Sequence, residues 1–212
     1  MGTPPSTTKR SSRAPIVWVS LIASMTGVGG VLHLLAPGQS SATSSPPAAA
    51  ALIEETASPL DRAEATRWDA IVIHDSGTPM GSAQTLAARD TARGIRGLGM
   101  HFVIGNGQGA GDGEIQVGYR WDDQLPGAHT VGTDADFYNR RGIGICLIGD
   151  GERRPFTDAQ LASLAALVRE LRDRCGISGE SVVLQREIGP TASPGRLFPA
   201  SRFRAQVASD RP

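Results

Sequence analysis

Three histidines in the folded part of the chain could provide nitrogen ligands for a metal ion: His74, His101 and His129. His74 ends a short apolar run and is followed by a Gly-Thr-Pro break, which places it at the end of a strand. A hydrolytic zinc site uses three protein ligands and keeps a fourth position for water. His74, His129 and a carboxylate from Asp75 or Glu187 would make one such set. His101 begins another strand, where we expect a hydrogen-bonded histidine in or near the core.

The two cysteines, Cys146 and Cys175, are too few to form a disulfide scaffold. Cys146 lies inside an apolar run and lacks the exposed, electropositive surroundings that a reactive thiolate needs. Cys175 ends a helical pattern, where the helix dipole opposes ionisation of the thiol. Both are therefore expected to be inert free thiols. A single disulfide is the alternative if the domain lies in an oxidising compartment.

Alternating strand and helix patterns indicate a mixed α/β domain, with helices packed on a central sheet. Apolar runs predict strands at residues 69–73, 101–104, 114–119, 142–148 and 181–184. The second and third of these are joined by a glycine-rich segment that is typical of a hairpin turn. The run at 142–148 holds only apolar residues and glycine, which indicates a central strand covered on both faces. Helical patterns cover residues 82–98 and 157–176.

Four segments follow one another in a distinctive order: IVIHDSGTP at 71–79, GMHFVIGNGQGAGDGEIQVGYRW at 99–121 with PGAHT at 126–130, NRRGIGICLIGDG at 139–151, and LQREIGPTASPGRLFP at 184–199. None is specific alone, but their order and spacing are. With them the chain resembles the family of N-acetylmuramoyl-L-alanine amidases and peptidoglycan recognition proteins. The resemblance implies a mixed central sheet flanked by helices, with a groove for muropeptide on one face. The family's substrate is the amide between the lactyl group of N-acetylmuramic acid and L-alanine.

The resemblance also implies where a catalytic zinc ion would be held. The family's first ligand, the histidine that ends the first strand, is His74 here. Its second ligand, a histidine before Arg-Glu or Arg-Asp, is replaced by Gln185. Its third, a cysteine or aspartate eight residues later, is replaced by Ser193. Amide and hydroxyl oxygens are weaker zinc donors than imidazole, thiolate or carboxylate. No cofactor is therefore expected, although an active amidase would need Zn²⁺.

Other positions of the family pattern are partly kept. Met100 replaces the family's catalytic tyrosine and cannot hydrogen-bond a transition state, whereas Thr191 matches the family. Some recognition members with a replaced third ligand bind peptidoglycan without cutting it. For His129, beside the groove in the family, a ligand contact and an ordinary loop position both stay open. The expected groove residues are His74, Asp75, His129, Thr130, Gln185, Thr191 and Ser193.

The N-terminal part of the chain predicts a membrane anchor. Residues 16–36 contain no Asp, Glu, Lys or Arg and are long enough to cross a bilayer as a helix. Residues 1–15 carry three basic residues, which favour a cytoplasmic N-terminus and an extracytoplasmic domain, in the periplasm or at the cell surface. A cleaved signal peptide and a buried helix are the alternatives.

The whole chain is therefore interpreted as an anchored binding domain. Its segments are a basic tail at 1–15, a transmembrane helix at 16–36, a disordered Pro/Ala/Ser-rich linker at 37–57, an amidase-like domain at 58–205 and a tail at 206–212. The formal net charge is zero, which argues against a nucleic-acid partner. We expect peptidoglycan or muropeptide binding without hydrolysis. The alternatives are an active amidase with a rearranged site, and a regulatory domain that uses the groove for protein contacts.

Overall fold

A five-stranded mixed sheet forms the centre of the fold in the computed structural model, which describes residues 67–208. Its strands are β1 (Ala70–Asp75), β2 (Phe102–Ile104), β3 (Ile115–Val117), β4 (Gly142–Leu147) and β5 (Val182–Leu184). They lie in the order β3-β2-β4-β1-β5. Only β2 and β3 are antiparallel; the other neighbours are parallel. The sheet confirms the predicted mixed α/β class, with β4 as its central strand.

Within the described residues, six α-helices accompany the sheet: α1 (Ala83–Ala92), α2 (Tyr119–Asp122), α3 (Ala135–Arg141), α4 (Asp158–Cys175), α5 (Gln185–Ile188) and α6 (Ala200–Ala208). The prediction of a helix over 82–98 is wrong in its second half. The backbone adopts positive φ at Gly94 and Gly97, which ends α1 early. The strand predicted at 114–119 is also shorter, because Tyr119 already begins α2.

Helix α4 has the boundaries that its sequence predicts. Thr157 and Gln160 form a capping box at its first turn: the Thr157 hydroxyl accepts a hydrogen bond from the Gln160 N–H, and the Gln160 side chain accepts one from the Thr157 N–H. Gly176 ends the helix in the left-handed conformation, at φ 67°. The apolar stripe of α4 is buried against the sheet together with α6, and burial of each such side chain contributes about 1.5–3 kcal/mol.

The two faces of the sheet have different roles. Ile71 and Ile73 of β1 point into the large apolar cluster beneath α4 and α6. Side chains alternate along a strand, so His74 faces the opposite side. There it lies beside Cys146 of β4, its partner in the strand register, which belongs to the smaller cluster beneath α1. His74 therefore sits where β1 ends, on the face that α1 only partly covers.

The cysteines are buried in different places. Cys146 belongs to the cluster on the α1 face, whereas Cys175 belongs to the cluster on the α4 face. Both are free thiols, so the alternative of a disulfide is wrong. Burial raises the pKa of both thiols above the ordinary value, in keeping with inert core residues.

The predicted anchor at 16–36 and the linker at 37–57 lie outside the described residues. Between residues 67 and 208, no helix combines the length and the apolar character needed to cross a membrane.

Candidate functional site

His74 is almost fully buried at the end of β1, and its ring is held by side chains from distant parts of the chain. Its Nε2 lies 3.2 Å from Nδ1 of His129, and its side chain is also hydrogen-bonded with that of Gln185. Burial, followed by the proximity of His129, lowers the pKa of His74 well below its ordinary value. The ring is therefore neutral at physiological pH.

His129 reaches His74 because two glycines make room for its ring. A Cβ atom at Gly144 would lie 2.5 Å from the His129 ring, and one at Gly127 would lie 2.3 Å from it. Nε2 of His129 is 3.2 Å from the carbonyl oxygen of Gly142. A carbonyl only accepts, so the neutral ring carries its proton on Nε2. Its Nδ1 is then an acceptor that faces both Nε2–H of His74, at 3.2 Å, and the Thr130 hydroxyl, at 3.0 Å.

This contact fixes the orientation of His74. Metal-binding histidines commonly donate their second ring N–H to a neighbouring acceptor, which orients the ring. Here His129 is that acceptor, and the Gln185 side chain is a second hydrogen-bond partner of the His74 ring. Burial lowers the pKa of His129 to about 4, so the acceptor stays neutral. His129 thus holds the His74 ring in one orientation without adding a positive charge beside it.

Asn139, which the sequence analysis missed, clamps the loop that carries His129. Its Oδ1 accepts hydrogen bonds from the backbone N–H of His129, at 2.8 Å, and of Thr130, at 2.9 Å. Its Nδ2 donates to the carbonyl oxygen of Thr130 at 2.9 Å. Asn139 lies on α3 and directly precedes the Arg-Arg pair before β4. A single polar residue in a helix gives no signal of such a contact in the sequence.

His101 is a core residue, as predicted. It is fully buried, accepts a 2.9 Å hydrogen bond from the Gly144 N–H, and packs edge-on against Trp68. Burial, followed by the proximity of His129, lowers the pKa of His101 to about 3. Its ring centre lies 5.8 Å from that of His129. His101 therefore lies behind the site and supports His129 without facing the surface.

Gln185 and Ser193 lie beside His74, where the resemblance places them. Gln185 begins α5, directly after β5, and its Nε2 donates to the carbonyl oxygen of His129 at 3.1 Å. The Ser193 Oγ accepts a 2.9 Å hydrogen bond from the N–H of Asp75. The N–H of Ser193 in turn donates to Oγ1 of Thr191 at 3.2 Å. The structure therefore brings all seven expected groove residues together.

The alternative metal site, with Asp75 or Glu187 beside the two histidines, is not formed. Oδ2 of Asp75 accepts a 2.9 Å hydrogen bond from the N–H of Gly151. The carboxylate of Glu187 accepts from the N–H of Leu184 and pairs with Arg204. Within the part of the chain that the structure describes, no group of three His, Cys, Asp or Glu side chains is close enough to hold a metal ion.

Of the three residues at which the resemblance implies zinc ligands, one is a strong metal donor. His74 fits, because its ring is oriented through Nε2. Gln185 and Ser193 offer a neutral amide and a neutral hydroxyl, and both are bonded to the protein's own backbone. Met100 packs against the apolar cluster beneath α1, where its thioether provides no strong hydrogen-bond donor.

Comparisons with known proteins agree with this architecture. Residues 64–196 match the family model described as N-acetylmuramoyl-L-alanine amidase. The endolysin of Escherichia phage T7 is 29% identical over 136 residues, which is 59% of this chain and 80% of the endolysin. A peptidoglycan recognition protein of Trichoplusia ni is 34% identical over 105 residues, which is 47% of this chain and 48% of that protein.

A solved structure shares the fold. The N-acetylmuramoyl-L-alanine amidase LysC from Clostridium intestinale matches with a TM-score of 0.59 and 26% identity, over 68% of this chain and 87% of LysC. The match to the family model covers more than half of the chain. The described strands form the mixed central sheet that was expected from the resemblance. The chain belongs to the N-acetylmuramoyl-L-alanine amidase and peptidoglycan recognition protein family.

Proposed function

We propose that this chain binds peptidoglycan through the groove of its amidase-type domain and has lost zinc-dependent hydrolysis. The proposal rests on the two side chains next to His74, those of Gln185 and Ser193, which are neutral and already hydrogen-bonded to the protein backbone. Relatives named as peptidoglycan recognition proteins and as amidases support the ligand class.

Hydrolysis of an amide needs strong assistance, which this site lacks. In zinc amidases the metal polarises the carbonyl group and lowers the pKa of a bound water. With His74 as the single strong donor, we derive no hydrolytic step at this site. The neutral histidines provide no positive charge to replace the metal, because burial keeps the pKa of His74 and His129 low.

Binding, in contrast, needs only a shaped surface with hydrogen-bonding groups. Thr130 is buried beside His129, and the Thr191 hydroxyl supports the turn that carries Ser193. The His74 ring, held by His129 and Gln185, lies almost fully buried beneath this surface. A few such neutral contacts give modest affinity, of about micromolar, or about −8 kcal/mol.

We also propose that residues 16–36 anchor the chain in a membrane and that the domain faces the periplasm or the cell surface. The support is the uncharged segment behind three basic residues. These residues lie outside the described part of the structure.

Metal analysis combined with binding and turnover tests the proposal. The purified protein, dialysed against Zn²⁺, should retain far less than one zinc ion per chain by mass spectrometry. It should bind a soluble muropeptide by calorimetry equally well with and without chelator, and should release no free peptide stem by chromatography.

Each alternative predicts a different result. One tightly held zinc ion per chain together with released stem peptide would establish an active amidase and refute the proposal. Failure to bind either muropeptides or purified cell-wall sacculi would favour the protein-interaction alternative. Thr130→Ala should weaken muropeptide binding, whereas Arg202→Ala, at an exposed position on α6, should not.

A further inference from the structure

A cavity of about 310 Å³ lies beyond the end of β4, where residues 149–157 meet the glycine-rich turn that follows β2. This volume is at the lower end of the range for small-ligand sites, about 300–1,000 Å³. Apolar side chains on its lining include Ile148 and Phe156. Its charged side chains are Asp150, Arg153 and Arg154. The cavity therefore combines an apolar surface with a small number of polar groups.

Hydrogen bonds hold the walls of the cavity in place. Nδ2 of Asn106 donates to the carbonyl oxygen of Pro79 at 2.9 Å, and the N–H of Gly81 donates to the carbonyl oxygen of Gln108 at 2.8 Å. On the opposite side, the Thr157 hydroxyl donates to the Asp112 carboxylate at 2.6 Å. A ligand would therefore meet a preformed cavity, which reduces the entropy that binding loses.

Both carboxylates of the loop at residues 149–157 are paired with arginines, which leaves the second arginine of the loop without a carboxylate partner. Asp150 pairs with Arg153 at 3.4 Å, and Glu152 pairs with Arg196 at 3.7 Å. Among residues 67–208, no acceptor is bonded to the guanidinium group of Arg154, which lines the cavity. An arginine side chain with free donors is suited to a carboxylate, which it can bind through two parallel hydrogen bonds.

The cavity adjoins the candidate groove. The N–H of Gly149 donates to Oγ of Ser76 at 3.0 Å, so the loop is fastened to the residues that directly follow His74. His74 pairs with Cys146 in the strand register, and Gly149 lies three residues further along the chain. A rise of about 3.3 Å per residue places Gly149 at most roughly 10 Å from Cys146. An extended peptide of three residues spans about the same distance.

We infer that this cavity is a subsite that binds the C-terminal carboxylate of the peptide whose other end lies at His74, with Arg154 as the residue that binds it. The inference rests on the proposed function, because it takes a peptide stem as the ligand. The apolar lining accepts a small aliphatic side chain next to that carboxylate. Arg154 would thereby select for peptides with a free C-terminus.

Two soluble N-acetylmuramyl peptides test the inference, one ending in a carboxylate and the other in the matching carboxamide. Calorimetry on the full-length protein should show about tenfold weaker binding of the carboxamide, because a charge-assisted hydrogen bond is lost. Arg154→Gln should weaken binding of the carboxylate peptide by about tenfold and leave the carboxamide unaffected. The control Arg202→Gln removes the same charge from exposed α6 and should change neither affinity.

The outcomes separate this inference from the proposed function. Equal binding of the two peptides by the unaltered protein would overturn the subsite and leave the binding function in place. The same holds if Arg154→Gln binds the carboxylate peptide with undiminished affinity. If neither peptide binds, the proposed function fails and the subsite fails with it.

Discussion

Replacing Gln185 by histidine and Ser193 by cysteine should convert the neutral site into one that binds zinc. His74 already has its ring fixed through Nε2 by His129, at 3.2 Å, as a zinc ligand requires. The two replacements supply an imidazole and a thiolate at the positions that the family uses. The sequence spacing between them is unchanged, and both residues lie next to His74.

The expected magnitudes follow from the hydrogen bonds that change. The double variant loses the bond from Gln185 to the His129 carbonyl, and it weakens the bond from the Asp75 N–H to residue 193. Each contributes about 1 kcal/mol, so the metal-free variant should be about 2 kcal/mol less stable than the unaltered protein. Zinc at a hundred times its dissociation constant should add about 2.7 kcal/mol, which more than offsets this loss.

Urea unfolding with added zinc and with chelator measures both the stability that the substitutions remove and the stability that zinc adds. The double variant should be stabilised by zinc, whereas the unaltered protein and the single variants Gln185→His and Ser193→Cys should respond much less. Circular dichroism provides the control that each variant is folded. A folded double variant that binds no zinc would refute the placement of these residues around His74. Hydrolysis is not expected from this variant alone, because Met100 remains; Met100→Tyr is the next substitution to add.

Three further predictions concern the loop, the buried histidines and the anchor. Asn139→Ala should lower the free energy of unfolding by about 3 kcal/mol, because three backbone groups of His129 and Thr130 lose their partner; urea unfolding measures it, and Asn139→Asp, which keeps the acceptor, should be milder. Burial lowers the pKa of His101 to about 3 and that of His129 to about 4. Between these pH values and pH 6.5, the unfolded chain therefore binds more protons than the folded chain does. Stability should thus be full above pH 6.5 and fall on acidification, by up to about 1.4 kcal/mol per pH unit for each such histidine; equal unfolding midpoints at pH 7 and pH 5 would contradict neutral burial. Residues 16–36 should keep the chain in the membrane fraction with its domain accessible to external protease, and a soluble form that begins after this segment would indicate a cleaved signal peptide.

The parts of the fold that were predicted correctly are those with strong local patterns. β4 is an uninterrupted apolar run, and α4 combines a capping box, an apolar stripe and a terminal glycine. α3 escaped prediction because none of its residues is buried, so it has no apolar stripe. The second half of the predicted first helix failed because tertiary context favoured turns at Gly94 and Gly97 over the weak helical pattern.

The sequence by itself determined which residue types meet beside His74, and the order of the motifs predicts that Gln185 and Ser193 stand at the positions of two zinc ligands. Only the tertiary structure decided what those residues do. Ser193 bonds to the N–H of Asp75, 118 positions away in the chain, and His74 meets His129 across 55 positions. The clamp of Asn139 and the cavity beside Arg154 likewise depend on how separate loops meet at the end of the sheet. Local patterns report propensity and periodicity, whereas hydrogen bonds between distant segments form only after the strands have paired and the chain has packed.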